Sequence, residues 1–178
     1  MQDANVRAGF DATVLPHLDA AYNLARWLVR NDHDAEDVVQ EATLKALRFF
    51  GGFRGGDPRA WLLTIVRNSA YTWLGKRRPD ELRVSLEDDG GIPPDPGATP
   101  EHAALSRASG RSLEQALGAL PVPLREAIVL RELEGLSYGE IATVADVPIG
   151  TVMSRLSRAR LRLRAALAEH GPAKEVSR

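Results

Sequence analysis

Residues 137–158 read SYGEIATVADVPIGTVMSRLSR. Ser137 followed three residues later by Glu140 is a capping box, so a helix is expected to begin there. Ile141, Ala142 and Ala145 form its inner face, and the small Ala142 lets a second helix pack close. Asp146, Val147 and Pro148 interrupt it. Asp tolerates the left-handed conformation that such a turn needs, and Val147 plugs the space between the helices. Gly150, Thr151 and Val152 open a second helix. At about 100° per residue, Val152, Leu156, Ala159 and Leu163 share one of its faces, and Thr151, Ser154, Arg155, Arg158 and Arg162 share another. Two short helices around a tight turn, the second with an arginine stripe, are the layout of a helix-turn-helix. The stripe suits phosphate and base-edge contacts. An arginine stripe alone also fits a solvated helix of an ordinary bundle; the capping box, turn and spacing together favour DNA binding.

Overall charge conceals this. The 178-residue chain carries a net charge of −1, yet residues 50–79 and 149–178 carry +5 each, while residues 1–49 carry −3 and residues 80–148 carry −8. Two basic blocks in a near-neutral chain point to two contacts with a polyanion. There is no cysteine, which excludes disulfides and thiolate metal sites. His17, His33, His102 and His170 are too scattered to suggest a metal cluster. No apolar run is long enough to span a membrane and no signal-peptide pattern is present, so a cytoplasmic protein without membrane insertion is expected.

Residues 80–110 are rich in Asp, Glu and Pro, with little to bury, and read as a mobile, partly extended linker. Both flanks have helical periodicity and no alternating strand. The expected fold is all-α: two small helical domains (1–79 and 111–172) joined by an acidic Pro/Gly-rich linker (80–110), with a short tail (173–178).

In the first domain a helix is expected over roughly 11–30, kinked or truly begun at Pro16, with Leu18, Tyr22, Ala25, Leu28 and Val29 inward. A second follows Asp34 as N-cap and runs to about Phe50. Its inner face is Ala35, Val38, Val39, Ala42, Ala46, Phe49 and Phe50. Asp37, Gln40, Glu41, Leu44 and Arg48 form a narrow outer face. A third starts with Asp57 as N-cap and Pro58 at the first helical position and ends in Lys76, Arg77 and Arg78. Trp61 and Trp73 lie on its apolar stripe and are expected in the core; Tyr71 is expected to be exposed. Between the second and third helices, Gly51-Gly52-Phe53-Arg54-Gly55-Gly56 forms a pliable loop. It is not a phosphate loop, since the Lys-Ser/Thr ending and the preceding strand are missing. Either a plain connector or a loop that holds a nucleotide fits it.

Three ordered motifs carry a family resemblance. Residues 34–41 (DAEDVVQE), 61–68 (WLLTIVRN, running on to Arg78) and 120–160 (beginning LPVPLREA) resemble segments of bacterial RNA polymerase sigma factors of the extracytoplasmic-function (ECF) group. The resemblance spans about residues 10–170. It implies that Asp37, Gln40, Glu41 and Leu44 dock on the clamp helices of the polymerase largest subunit. Carboxylates and an amide around one exposed leucine suit a polar, arginine-rich partner. It implies that Phe53, Arg54, Arg67, Asn68, Tyr71, Lys76, Arg77 and Arg78 hold the melted −10 strand, with the glycine loop and Asn68 receiving a flipped base. Promoter melting needs rings and a tight pocket for bases and cations for the backbone.

The resemblance further implies that Thr151, Ser154, Arg155, Arg158 and Arg162 read the −35 duplex. Met153 and Ser157 depart from the family pattern, where many relatives carry a basic and a bulkier residue, so no −35 sequence carries over. The acidic linker would thread toward the polymerase cleft and RNA exit path. Core polymerase (clamp helices and beta flap), promoter DNA and an anti-sigma factor are the implied partners, and no cofactor is expected. Two alternatives are a helix-turn-helix regulator using only its C-terminal domain and a sigma-like decoy that binds an anti-sigma protein. An enzyme is the least favoured reading: no nucleophile–base pair, metal-ligand spacing or phosphate loop stands out.

Overall fold

A computed structural model describes residues 2–87 and 110–169, and the described residues contain helices and turns without a strand. The N-terminal half holds α1 (Gln2–Val14), α2 (Leu18–Val29), α3 (Asp32–Phe49), α4 (Pro58–Arg77) and α5 (Pro79–Glu87). The C-terminal half holds α6 (Gly110–Ala119), α7 (Val122–Ile128), a π-helical turn (Val129–Leu133), α8 (Tyr138–Ala145) and α9 (Ile149–Glu169).

The helix expected over 11–30 is two helices. A 3₁₀ turn at Leu15–His17 separates α1 from α2, because Pro16 has no N–H to donate to the preceding turn and its ring clashes with that turn's carbonyl. The helix α1 reaches further upstream than expected and anchors itself through buried Phe10 and Val14. The N-cap of α3 is Asn31 rather than Asp34: the Asn31 carboxamide oxygen accepts from the Asp34 N–H at 3.0 Å. Asp32 and Asp34 instead sit in the first turn, where their charge complements the helix dipole. The start of α4 is as expected: Asp57 accepts from the Arg59 N–H at 2.9 Å and Pro58 follows at the first helical position. Helix Pro79–Glu87 takes in the first residues of the expected linker, 80–87, and the linker's last residue, Gly110, opens α6; residues 88–109 and the tail lie outside the described residues.

The N-terminal core is built by α2, α3 and α4. Ala21, Leu24, Ala25, Leu28 and Val29 meet Ala35, Val38, Ala42 and Ala46, and Leu62, Leu63, Val66, Ala70 and Leu74 fill the remaining side. The alanines on α3 permit close helix approach. Phe49 departs from expectation: it is exposed, while Phe50 packs on the core.

In the C-terminal half the capping box is present in both directions. The Ser137 hydroxyl accepts from the Glu140 N–H at 3.2 Å, and a Glu140 carboxylate oxygen accepts from the Ser137 N–H at 2.6 Å. Asp146 takes the left-handed conformation with φ 54° and closes α8. Ile141, Val144 and Ala145 pack on Val152, Leu156, Ala159 and Leu163 of α9, with Val147 wedged beside them.

The two halves touch. The α4 helix lies against α8, and α2 lies against α7. Arg125 of α7 is only 2% exposed. Its guanidinium donates to the carbonyls of Gly118 (2.9 Å) and Leu120 (3.1 Å) in its own half and of Leu28 (3.1 Å) across the boundary. Burial, with the nearby Arg30 charge, lowers its pKa to about 10. It stays protonated at neutral pH because those carbonyls replace water.

Candidate nucleic-acid interface

The outer face of α3 is laid out as the sequence suggests. Asp37, Gln40, Glu41 and Leu44 are all exposed, Leu44 to 62%. Glu41 pairs with Lys45 one turn on, at 2.9 Å. The structure adds Leu47, also exposed and adjacent to Leu44 and Gln40 on the helical wheel. Two apolar side chains inside a polar rim have the make-up of a docking surface. Periodicity had shown only one of them.

The glycine loop is pinned by aromatic rings. Phe10 meets Phe50 edge-on at 5.5 Å between centroids, Phe50 stacks on Phe53 at 6.1 Å, and Phe53 lies 4.9 Å from Trp61. Gly55 (φ 90°) and Gly56 (φ 98°) then turn the chain through conformations that side chains resist. Trp61 packs against the core as expected. It is half-buried and, with Phe53, Arg54, Ala60 and Thr64, lines one wall of a cleft of about 640 Å³. Ser137, Gly139, Glu140 and Thr143 of the C-terminal half line the other. A nucleobase fits such a volume, and Arg54 is exposed at the loop.

Further along α4 the expected −10 residues divide into two sets. Asn68, Lys76 and Arg77 are exposed. Arg78 is held in the fold, donating to the Val29 carbonyl at 2.9 Å with Glu81 at 3.6 Å and Asp34 at 3.9 Å. Trp73 is half-buried and packs against the core as expected, with the Arg77 and Arg78 guanidinium groups 5.6 and 5.2 Å from its ring. Tyr71, expected to be exposed, is half-buried. Its hydroxyl donates to Glu126 at 2.8 Å, and the Arg67 guanidinium lies 3.8 Å over its ring. Burial, and then the Glu126 charge, hold the Tyr71 pKa well above its usual value, so at neutral pH it is a neutral donor.

On α9, Thr151 and Ser154 are half-buried and Arg162 is exposed. Arg155 and Arg158, expected on a solvent-facing stripe, are 7% and 6% exposed. The helical wheel groups them on one face of α9; it could not show how far that face is buried once α9 packs against α6, α7 and α8. Arg155 is near enough to Tyr71 for its charge to act on the phenol. Glu126 went unnoticed in the sequence. It is 1% exposed and sits inside the LPVPLREA segment, where no local signal distinguishes a buried carboxylate from a solvated one. Among the described residues no group of three or more His, Cys, Asp or Glu is arranged to hold a metal, and no helix is long and apolar enough to cross a membrane.

Two family models match the chain: sigma-70 region 2 over residues 13–79 and sigma-70 region 4 over residues 110–163. The chain is 36% identical over 168 residues to the ECF RNA polymerase sigma factor SigE of Mycolicibacterium smegmatis, a match covering 94% of this chain and 65% of that protein. It is 43% identical over 144 residues to the ECF RNA polymerase sigma-E factor of Haemophilus influenzae, covering 77% and 75%. Among solved structures it resembles the sigma factor RpoE of Bartonella quintana, crystallised in complex with the anti-sigma factor NepR. That likeness has a TM-score of 0.68 and 32% identity, covering 90% of this chain and 97% of that one. With sigma-70 regions 2 and 4 matched in that order along the chain and relatives of this identity and coverage, the chain belongs to the ECF RNA polymerase sigma factors.

Proposed function

We propose that this chain binds core RNA polymerase, directs it to promoters and helps open them. The observation that carries the reading is the pairing of an exposed polar face with two central leucines on α3 and a basic, aromatic helix directly after a glycine loop. The division of labour is residues 1–79 for core binding and −10 melting, 80–110 as tether, 111–172 for the −35 duplex, and 173–178 as tail.

Asp37, Gln40, Glu41 and Leu44 dock on the polymerase largest subunit. Carboxylates give orientation and a fast encounter; Leu44, desolvated on contact, gives affinity. Phe53, Arg54 and Asn68 receive an unstacked base at the cleft, and Arg67, Tyr71, Lys76, Arg77 and Arg78 hold the strand around it. Thr151, Ser154, Arg155, Arg158 and Arg162 present donors to the −35 major groove and its phosphates. The chain performs no bond chemistry, needs no cofactor and works in the cytoplasm. An anti-sigma partner is supported by the likeness to a sigma factor crystallised with one. A C-terminal regulator acting alone would leave the region 2 match over residues 13–79 without a task.

The assignment of tasks is tested by separating them. Arg155→Ala and Arg158→Ala are each expected to weaken binding of the holoenzyme to −35 duplex DNA by roughly 5- to 20-fold, about 1–2 kcal/mol, while core affinity stays within twofold. Equal loss of core affinity in a competition titration would refute the division of labour.

A further inference from the structure

The second helix of the helix-turn-helix begins with apolar side chains in solvent. The Pro148 carbonyl accepts from the Thr151 and Val152 N–H groups at 3.0 and 3.2 Å, which sets Ile149 as the first residue of α9. Ile149 and Met153 lie one turn apart on the same side of the helix. They are 51% and 42% exposed, whereas Arg155 and Arg158 further on are buried. Exposed Gly150 has open space where a side chain would stand, and Ser157, one turn beyond Met153, is small. The Ser154 hydroxyl is turned back to the Thr151 carbonyl at 3.2 Å. Later in the helix Arg162 and Arg164 are exposed, and no acidic residue stands between Asp146 and Glu169. Neither Ile149 nor Met153 belongs to the donors assigned to the −35 duplex.

We propose that Ile149 and Met153 select thymine in the −35 duplex by contact with its C5 methyl group. This rests on the assignment of the helix-turn-helix to −35 DNA. The first turns of such a helix meet base edges in the major groove. Only thymine presents an apolar group there. Contact removes water from the methyl and from the side chain together. A neutral Ile or Met offers nothing to the acceptors of guanine or the amine of cytosine. The stiff β-branched Ile149 holds one position, and the unbranched Met153 thioether adapts to the edge beside it. Gly150 and Ser157 leave both side chains free to approach the groove floor. The cations behind the pair complement phosphate, so duplex DNA rather than an apolar protein groove is the occupant; they add affinity without choosing a base.

Deoxyuridine lacks only the thymine methyl, so the contact can be removed from the DNA without touching the protein. Holoenzyme assembled from core polymerase and the full chain is used to select duplexes from a randomised library. The recovered −35 elements should contain thymine. Replacing thymidine by deoxyuridine one position at a time should weaken binding roughly fourfold at the contacted positions, the worth of one buried methyl group. Met153→Ala and Ile149→Ala change exposed side chains and should leave the melting temperature in place. Each should bind the thymine duplex less tightly and no longer distinguish it from the deoxyuridine form at the position it contacts. Thymine-free −35 elements, no cost of deoxyuridine at any position, or a cost undiminished in both variants would overturn the selection of thymine. A loss of core affinity in the variants would also overturn it and assign the pair to the polymerase. If holoenzyme enriches no sequence beyond core polymerase alone, the −35 assignment itself fails, and the inference with it.

Discussion

A chain carrying Asp37→Ala, Gln40→Ala and Leu44→Ala is expected to lose roughly 100-fold in affinity for core polymerase, about 3 kcal/mol. The three side chains lie on the exposed face of α3, with Leu44 62% exposed. Removing them creates no cavity, so melting temperature should hardly move. Most of the loss should come from Leu44, an apolar group dehydrated at the centre of a polar rim. Asp37 should act mainly on the association rate and its salt dependence, because rim charges steer encounter more than they hold. A competition titration against labelled wild-type chain measures this. Core affinity within threefold of wild type would remove α3 from the docking surface.

Arg125→Ala is expected to cost the fold about 3 kcal/mol or more. One guanidinium serves the carbonyls of Gly118, Leu120 and Leu28. Its loss strands three buried acceptors and opens a space where a long side chain had packed. Because Leu28 belongs to the other half, the effect should include separation of the halves. Arg125→Met restores much of the packing but none of the donors, and should recover only part of the loss. Urea unfolding followed by circular dichroism reads both variants. That cost is a large share of the 5–15 kcal/mol typical of a folded domain, so Arg125→Ala should approach instability at growth temperature. A cost under 1 kcal/mol would mean that water satisfies those carbonyls.

The features that were legible in the sequence are those set by chemistry within a few residues. Ser137 with Glu140, Asp146 in its left-handed turn, and Asp57 with Pro58 each act on their own backbone, and each stands in the structure as expected. The apolar face of α9 was legible for the same reason. The N-cap of α3 was harder, because Asn31, Asp32 and Asp34 are all capping types within one turn and only the fold selects Asn31. Helix α1 was partly missed: only its later part fell inside the expected helix, since Phe10 and Val14 are few anchors for a periodic signal. Helix α5 was hidden by acidic and proline-rich surroundings. The least legible facts concern the boundary between the halves. Tyr71 is paired with Glu126, far away in sequence, Arg155 and Arg158 are buried on α9, and Glu126 and Arg125 are charged side chains at core positions. Hydrophobic periodicity assigns such residues to solvent, and only tertiary pairing reverses it.

Run-off transcription with purified core polymerase, this chain and fragments of the host genome tests the central claim most directly. Discrete transcripts are expected from a subset of fragments only when the chain is added. Their start sites should lie downstream of paired −35 and −10 elements at constant spacing. Transcription that is equally weak and unselective with and without the chain, although the chain binds core polymerase, would contradict the account.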